Sequence, residues 1–249
     1  MTRKQTVADA FGAAASTYDS SAQAQSRAAD GVVDLVMGRT LPQNPCVLEV
    51  GCGTGLLTRK LLPKVGGDWL VTDLSPAMVK AAEATTSATN ATFRVMDGEH
   101  PDVPTGLFDL VVSNLAAQWF GDLGRALNQL QACLSPGGVL VLSTLGRGSF
   151  KEWRAAHEQL GLSCGVPLYP IAEELAALLP ACAQVTSEQV IIGHADGHEF
   201  VDSLKRIGAG TPNSGHVPLN PGALRKVLRA MGAPVAITYD ILYAVVEAQ

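Results

Sequence analysis

Three glycines directly after a short apolar run are the residues whose spacing points most directly to chemistry. Residues 47–55 read Val-Leu-Glu-Val-Gly-Cys-Gly-Thr-Gly, so Gly51, Gly53 and Gly55 alternate between a predicted strand and a predicted helix. Glycine lets the backbone turn tightly and approach a ligand, although a plain strand-to-helix turn uses it too. The spacing lacks the later glycine of a pyrophosphate-binding turn and the lysine of a phosphate loop. Glu49 would repel a pyrophosphate but accept from an ammonium group, which favours a nucleoside bearing an amino acid over a dinucleotide.

Two aspartates follow the next two predicted strands at positions that suit a nucleoside. Asp73 ends the second strand, where an acid accepts hydrogen bonds from both ribose hydroxyls. Asp97, followed by Gly98, comes just after the third strand and could accept from an adenine amino group. Taken alone, Asp73 could be a charge at a helix N-terminus before Ser75-Pro76, and Asp97-Gly98 could be a turn. The glycines and both acids in this order predict a nucleoside site more specifically than any one of them.

Short apolar runs alternate with longer helical stretches through the first 145 residues. The predicted strands are Cys46–Val50, Trp69–Thr72, Thr92–Val95, Leu107–Val112 and Val139–Leu145, and the predicted helices between them are Leu56–Leu62, Pro76–Thr85 and Leu123–Leu134. Residues 135–138, Ser-Pro-Gly-Gly, predict a turn that ends a helix and releases the next strand. Strand, helix and strand at this spacing imply right-handed crossovers and a mostly parallel sheet.

The chain on either side of this core predicts further helices and two more strands. The helices are Thr6–Phe11, Ala22–Met37, Phe150–Leu162, Ile171–Leu179, Glu199–Ile207 and Pro221–Met231, and the strands are Gln184–Ile192 and Ile237–Val246. We therefore expect an α/β fold, a doubly wound and mostly parallel seven-stranded sheet with a helical cap, in one domain at 1–249. Its parts are an N-terminal helical lid at 1–40, a cofactor-binding core at 44–146, cap and substrate insertions at 147–235 and a final strand at 236–249. The cap is expected over the carboxyl ends of the strands, where open α/β sheets bind ligands.

Composition narrows the class of protein. The 249 residues are 47% hydrophobic and 16% charged, with a formal net charge of −5, which argues against disorder and against broad nucleic-acid binding. The five cysteines are odd in number and form no CxxC pair, which favours neither a disulfide framework nor a zinc site. His194 and His198 are four positions apart with no third ligand in view, so we expect structural or solvated histidines and no metal. No apolar run approaches the roughly 18 residues of a membrane span, and we expect a cytoplasmic protein.

The core motifs resemble those of the class I methyltransferases, in which they bind S-adenosylmethionine in a Rossmann-like fold. Further segments resemble the malonyl-[acyl-carrier-protein] O-methyltransferases of the biotin pathway: 10–19, 113–119, 143–145 with 148–149, 203–209 and 237–239. This resemblance spans nearly the whole chain, including the cap. It implies transfer of a methyl group from S-adenosylmethionine to the free carboxylate of a malonyl thioester on acyl carrier protein. The product is the methyl ester that starts pimeloyl synthesis for biotin.

The resemblance also implies roles for individual residues. The expected cofactor contacts are Tyr18, Gln25, Glu49, Gly51, Gly53, Gly55, Asp73, Leu74, Asp97, Gly98, Asn114 and Leu115. Tyr18 would contact both cofactor and substrate from the lid, while Gln118 and Trp119 would line the opening toward the methyl group. The chain departs from the family pattern at Gln25-Ser26-Arg27, where the arginine comes one position late, and at Leu168-Tyr169, which stands in place of Arg-Phe.

The reaction that the resemblance implies needs alignment rather than a general base, because a malonyl carboxylate is ionised near pH 7. A group must still recognise that carboxylate, and Lys205 is the first candidate, with Arg147 the second. Lys205 could equally be a solvated helix lysine. A basic face for the acidic carrier protein is expected from Lys205, Arg206, Arg225, Lys226 and Arg229, unless these residues form an ordinary exposed helix surface.

Two other functions stay open on the sequence. One is a methyltransferase for a free small molecule, such as a quinone precursor or a small carboxylic acid, and it is distinguished by whether the basic residues surround the pocket mouth. The other is a non-catalytic cofactor-binding protein. A pocket blocked by side chains would favour that second alternative, whereas the intact glycine loop with Asp73 argues against it.

Overall fold

Seven strands and nine helices make up the computed structural model, which describes residues 2–213 and 215–248. The strands are β1 (Cys46–Val50), β2 (Asp68–Asp73), β3 (Ala91–Val95), β4 (Phe108–Asn114), β5 (Leu134–Leu145), β6 (Gln184–His194) and β7 (Val235–Glu247). The helices are α1 (Arg3–Ala14), α2 (Gln23–Met37), α3 (Leu56–Val65), α4 (Pro76–Thr85), α5 (Leu123–Ala132), α6 (Lys151–Gln159), α7 (Ala172–Ala177), α8 (Gly197–Arg206) and α9 (Pro221–Ala230). Short 3-10 turns lie at Asp19–Ser21 and Ala117–Trp119.

The strands form one sheet in the order β3-β2-β1-β4-β5-β7-β6. Strands β1 to β5 are parallel, while β7 runs antiparallel to both β5 and β6. The chain moves outward from β1 to β3 and then returns to place β4 on the other side of β1. Open sheets of this kind hold their ligands in the crevice at such a reversal, outside the carboxyl ends of the strands. The predicted α/β fold with a mostly parallel seven-stranded sheet is confirmed.

Helices cover both faces of the central strands β1, β4 and β5, which explains why these strands are apolar runs rather than alternating patterns, whereas the edge strands β3 and β6 are partly exposed. Successive residues of β1 point to opposite layers, since Val47 belongs to one buried cluster and Leu48 to the other. The first cluster includes α2, with Val32 and Val36 fully or almost fully buried. The second includes α5, with Leu127. These two layers hold the carboxyl ends of β1, β2 and β4 in fixed positions relative to one another.

The turn predicted at 135–138 is wrong, because these residues lie inside β5. Phe108 pairs with Leu134, and the register then shifts before Leu110 pairs with Val139, so the extra residues of β5 form a bulge. Gly138 is needed there, since a Cβ would lie 2.7 Å from the carbonyl oxygen of Phe108. The Ser-Pro-Gly-Gly pattern therefore produces an irregularity within a paired strand instead of a loop between elements.

The segment predicted as cap insertions, 147–235, contains α6 to α9 and also β6, which forms an edge of the sheet. In this segment α6 packs against β7 and α9, while α7 and α8 pack against β6. Within residues 2–213 and 215–248, no helix has the length and apolar character to cross a bilayer.

Candidate active site

The glycine loop after β1 is held in place by the carboxylate at the end of β2. Asp73 accepts from the Gly53 amide at 2.9 Å through Oδ2 and from the Ser75 amide at 2.8 Å through Oδ1. The loop backbone is also tied to β2 where the Cys52 amide donates to the Thr72 carbonyl at 2.9 Å. Asp73 therefore shapes the loop in addition to presenting two carboxylate oxygens to the crevice.

The three positions of the loop require glycine for different structural reasons. Gly51 and Gly53 have φ of +72° and +55°, which favour glycine. A Cβ on Gly51 would lie 2.3 Å from the Cβ of Ala116, whereas one on Gly53 would meet only the ring of Tyr18, at 3.9 Å. The crevice side of Gly53 is thus a slot between the loop and a tyrosine ring. Gly55 does not line the crevice: it is the N-cap of α3 with a φ of +84°, and a Cβ there would lie 3.2 Å from Ala82 of α4.

A cavity of about 100 Å³ lies at the end of β1, β2 and β4 and brings most of the predicted cofactor contacts together. Its lining includes Tyr18, Gly51, Gly53, Asp73, Leu74, Asp97, Gly98, Asn114 and Leu115. Gln25 is not part of this lining, and instead its carbonyl accepts from the Asn114 amide nitrogen at 3.0 Å. The carboxylates and carbonyls around the cavity are hydrogen-bond acceptors that match hydroxyl and amino donors.

Lys4 of α1 covers the Asp97 end of this cavity. Its Nζ lies 2.7 Å from Asp97 Oδ2 and also forms an ion pair with Glu99. Glu99 in turn accepts from the Gly121 amide at 2.7 Å, which holds the acid in its place. The acid predicted to meet an adenine amino group is therefore already ion-paired from the N-terminal segment. Sequence reasoning missed Lys4 because 93 positions separate it from Asp97.

Glu49 lies beneath the glycine loop rather than in the cavity lining and is only 1% exposed. Burial raises the pKa of its carboxyl to about 8, although the hydrogen bond from Thr58, at 2.7 Å, favours the ionised form. The charge of Asp73 raises the same pKa further. A cationic group bound at the loop would reverse this balance by stabilising the carboxylate.

This raised pKa predicts a pH-dependent stability. The unfolded chain releases the Glu49 proton near 4.5 and the folded chain near 8, so the folded state binds more protons between these values. The free energy of unfolding should therefore fall as pH rises through this range, by at most about 1.4 kcal/mol per pH unit. Glu49→Gln should lose this contribution, and urea unfolding of both proteins from about pH 5 to about pH 9 measures the difference. Glu83→Gln, an exposed change on α4, is the control, and equal slopes for wild type and Glu49→Gln would contradict the prediction.

A larger cavity, of about 440 Å³, lies beyond the first one and extends under the helices of the 147–235 segment. Phe11, Tyr18, Leu115 and Trp119 line both cavities, so these four side chains form the boundary between them. The lining of the large cavity also includes Gln25 and Gln118. Its walls are mainly aromatic and aliphatic, which suits an organic substrate.

The boundary side chains are held by contacts from both sides. The ring of Phe11 meets that of Trp119 edge-on, with centroids 5.3 Å apart. Tyr18 is positioned by its neighbour Asp19, whose carboxylate pairs with Arg59 of α3 at 2.7 Å. Burial and the nearby Asp73 raise the pKa of the Tyr18 hydroxyl well above its usual value. Tyr18 therefore stays a hydrogen-bond donor through the neutral range.

The turn after β4 brings the predicted residues Asn114 to Trp119 to this boundary. Leu115 has a φ of +47°, which is rare for a residue with a side chain, and its amide donates to the Ser143 hydroxyl at 3.0 Å. The Leu115 carbonyl accepts from the Gln118 side chain at 2.5 Å. A strained conformation persists only where the surrounding hydrogen bonds hold it in place, and such turns are typical of functional sites.

The two cations predicted for a substrate carboxylate are differently placed. Lys205 lies at the rim of the large cavity, but its side chain is 68% exposed and pairs with Asp202 at 2.9 Å. Arg147 lines neither cavity: it pairs with Glu174 at 2.6 Å and donates to the Tyr169 carbonyl at 3.1 Å. Neither the Arg147 guanidinium nor the Lys205 ammonium group is therefore free inside the large cavity.

The other predicted basic residues lie on α8 and α9. Arg206 donates to the Ser21 hydroxyl at 2.9 Å, and Arg225, Lys226 and Arg229 are exposed on α9. His194 meets the ring of Phe200 edge-on, with centroids 5.6 Å apart. The part of the chain that the structure describes holds no group of three His, Cys, Asp or Glu side chains placed to bind a metal ion.

Comparisons with known proteins place this site in context. The model of a family described as Methyltransferase domain matches residues 47–138. The biotin biosynthesis bifunctional protein BioCD of Bordetella avium is 44% identical over 242 residues, which cover 96% of this chain and 51% of that protein. The chain thus spans about half the length of this relative. The malonyl-[acyl-carrier protein] O-methyltransferase of Magnetococcus marinus is 38% identical over 234 residues, covering 91% of this chain and 86% of that one.

Solved structures share the fold at lower sequence identity. The YcgJ protein from Bacillus subtilis superposes with a TM-score of 0.64 at 16% identity, covering 88% of this chain and 99% of that one. Phospholethanolamine N-methyltransferase 2 of Haemonchus contortus, solved with S-adenosylhomocysteine, gives a TM-score of 0.55 at 15% identity over 87% of this chain and 52% of that one. These likenesses establish the shared Rossmann-like architecture and nothing finer.

Proposed function

Since the chain belongs to the malonyl-[acyl-carrier protein] O-methyltransferase family, we propose that it methylates the free carboxylate of a malonyl thioester on acyl carrier protein, using S-adenosylmethionine. The product is a methyl ester that enters biotin synthesis. The observation that carries this proposal is the pair of cavities separated by Phe11, Tyr18, Leu115 and Trp119. A cavity that carries Asp73 and Asp97 for a nucleoside and a mainly apolar cavity for an acyl group then meet at one boundary.

The small cavity fits S-adenosylmethionine by the chemistry of its donors and acceptors. Each oxygen of Asp73 uses one lone pair on a backbone amide and keeps another for a ribose hydroxyl. Asp97 is an acceptor for the adenine amino group, once Lys4 shares or leaves it. Glu49 beneath the loop favours a cationic ligand above it, which suits the α-ammonium group. The slot beside Gly53 leaves room for a ligand against the backbone.

The proposed reaction needs no acid or base from the protein, because malonyl carboxylates are ionised at neutral pH. S-adenosylmethionine supplies an electrophilic methyl group on a sulfonium when it is bound. Anion and cation lose charge on the way to the transition state, so a dry boundary favours reaction. Phe11, Leu115 and Trp119 exclude water there, and Tyr18 orients the groups on either side. The chain's main contribution is alignment of donor and acceptor.

The proposed carrier-protein face is formed by α9 and the end of α8. Leu224 and Lys205 line the large cavity, and Arg225 and Lys226 directly follow Leu224 on the exposed side. No carboxylate within residues 2–213 and 215–248 forms an ion pair with Arg225 or Lys226. Unpaired cations beside the mouth suit an acidic carrier protein whose acyl group must enter the cavity. This placement favours the carrier-bound substrate over a free small acid, and the open cavity argues against a non-catalytic protein.

The test of the proposed function is methyl-ester formation on three substrates. Purified protein is incubated with labelled S-adenosylmethionine and malonyl carrier protein, malonyl coenzyme A or free malonate, and base-labile ester is counted. We expect ester on the carrier-bound substrate at the highest rate. Ester on free malonate alone would favour the small-molecule alternative. Cofactor binding without ester on any of the three would contradict the proposed function.

Reversing the charge of the α9 cations should affect only the carrier-bound substrate. The double change Arg225→Glu with Lys226→Glu should raise KM for malonyl carrier protein by about tenfold, because charge complementarity mainly sets encounter and orientation. The rate with malonyl-pantetheine should not change, since that small thioester needs no docking face. Lys80→Glu, an exposed change on α4, is the matched control. Equal KM values for wild type and the double variant would exclude this face from docking.

A further inference from the structure

The large cavity contains two tyrosines whose hydroxyl groups are free to meet a ligand. Tyr169 and Tyr239 both line this cavity and are 6% and 5% exposed. Among the residues that the structure describes, none hydrogen-bonds to either hydroxyl group. Buried tyrosine hydroxyls usually have a partner, and these two face space that a substrate would fill.

Tyr239 is held rigidly near the beginning of β7. Its neighbour Thr238 donates its amide and hydroxyl to the Glu152 carboxylate of α6, at 2.9 and 2.6 Å. The ring of Phe150 meets the Tyr239 ring edge-on, with centroids 5.0 Å apart. Ile241, two residues later, pairs with Leu145 at the carboxyl end of β5. Tyr239 therefore lies two residues past the carboxyl end of β5, in a part of β7 that is still paired with Val190 of β6, and its ring lines the large cavity.

Tyr169 is held from behind by arginines that bond to the backbone of its segment. Arg154 of α6 donates from Nη2 to the Pro167 carbonyl at 2.9 Å and from Nε to the Ser149 carbonyl at 3.4 Å. Arg147 donates to the carbonyl of Tyr169 itself at 3.1 Å. No carboxylate of the described residues pairs with Arg154, so its positive charge beside Tyr169 is not neutralised.

The ionisation of both tyrosines suits hydrogen-bond donation. Burial raises the pKa of Tyr169 to about 12, against the opposing effect of Arg154 and Arg3. Burial also raises the pKa of Tyr239, which lines the same cavity, and Tyr169 raises that pKa further. Both groups are therefore protonated at neutral pH and can donate to one anion.

We propose that the hydroxyl groups of Tyr169 and Tyr239 together hold the carboxylate of the malonyl group, with Arg154 as a positioning residue behind Tyr169. This inference rests on the proposed function, and it assigns recognition of the acceptor to residues other than Lys205 and Arg147. Two neutral donors suit this reaction because the carboxylate is also the nucleophile. A direct salt bridge would hold its negative charge and oppose its attack on the methyl group, whereas hydroxyl donors fix its position and leave most of that charge in place.

The test is a comparison of malonyl-pantetheine with acetyl-pantetheine, which lacks the carboxylate. Binding of each to the full chain with S-adenosylhomocysteine is followed by tryptophan fluorescence, since Trp119 and Trp153 line the cavity. Wild type should prefer the malonyl compound by about 100-fold, and Tyr169→Phe and Tyr239→Phe should each reduce that preference by about tenfold. Acetyl-pantetheine binding should stay unchanged, because removal of a hydroxyl leaves the apolar walls intact.

Matched variants separate recognition from general damage. Tyr243→Phe removes another buried tyrosine hydroxyl, one that donates to Glu188 at 3.1 Å and lines neither cavity, and it should keep the wild-type preference. Arg154→Met should lower the preference and Arg154→Lys should restore part of it. A wild-type ratio in Tyr169→Phe and Tyr239→Phe, or an equal fall in Tyr243→Phe, would overturn the inference.

The methyl-ester assay, combined with the binding comparison, distinguishes failure of this inference from failure of the proposed function. Preferential malonyl binding that both phenylalanine variants reduce, without methyl ester from any malonyl thioester, would support the inference and overturn the proposed function. Ester formation with an unchanged malonyl preference in both variants would leave the proposed function standing and overturn the inference. A wild-type protein that binds both thioesters equally would overturn the inference as well.

Discussion

Replacing Asp73 with asparagine should weaken binding of S-adenosylmethionine by about 100-fold or more, because two kinds of interaction are lost together. Both Asp73 oxygens accept from backbone amides, those of Gly53 and Ser75. Asparagine must turn its NH₂ group toward one of these N–H groups, whichever way the side chain is flipped. The glycine loop then loses a bond that shapes it, and the ribose hydroxyls lose a charged acceptor. Isothermal titration calorimetry with S-adenosylmethionine measures the change.

Asp68→Asn is the matched control for this experiment, since Asp68 is an exposed aspartate at the opposite end of the same strand, β2. It should bind S-adenosylmethionine as wild type does. Circular dichroism of Asp73→Asn should retain the wild-type helix and strand content, because the sheet register does not depend on this side chain. Binding by Asp73→Asn within about threefold of wild type would contradict the assignment of Asp73 to the ribose.

Gly51→Ala should destabilise the fold by about 2–4 kcal/mol, through backbone strain and overpacking together. The residue has a φ of +72°, and the new Cβ would lie 2.3 Å from the Cβ of Ala116. Ala116 belongs to the turn after β4 that also carries Leu115 and Trp119, so relief of the clash must move the boundary between the cavities. Methyl transfer should therefore fall by more than the loss of stability alone would cause.

Gly106→Ala separates the two contributions. Gly106 has a nearly equal φ, +69°, but a Cβ there would meet nothing within 4 Å. Only the strain applies, and the loss in the free energy of unfolding should be about 1–2 kcal/mol with activity retained. Urea unfolding of both variants gives the comparison. Equal destabilisation of the two variants would mean that Ala116 moves away from the new Cβ without any loss in the free energy of unfolding.

The local pattern of the sequence determined the sheet and the placement of the predicted cofactor contacts within it. Apolar runs ending in Gly51, Asp73, Asp97 and Asn114 predicted parallel strands, and the carboxyl ends of such strands meet at one edge. These residues therefore lie around one cavity, because the sheet topology brings them together. The prediction of a turn at 135–138 was wrong for a local reason, since a bulge can accommodate a glycine pair without interrupting the strand.

Which side chains meet across long sequence distances depends on the packing of the elements, not on the local pattern. Lys4 reaches Asp97, Asp19 reaches Arg59, and Gly55 serves the packing of α3 on α4 rather than the ligand. Tyr169 and Tyr239 line the same cavity although 70 residues separate them, whereas Lys205 turns outward to Asp202. Periodicity specifies the face of a helix or strand that is buried. The partner that each side chain meets depends on how separate elements rotate and pack against one another, and no local pattern records that.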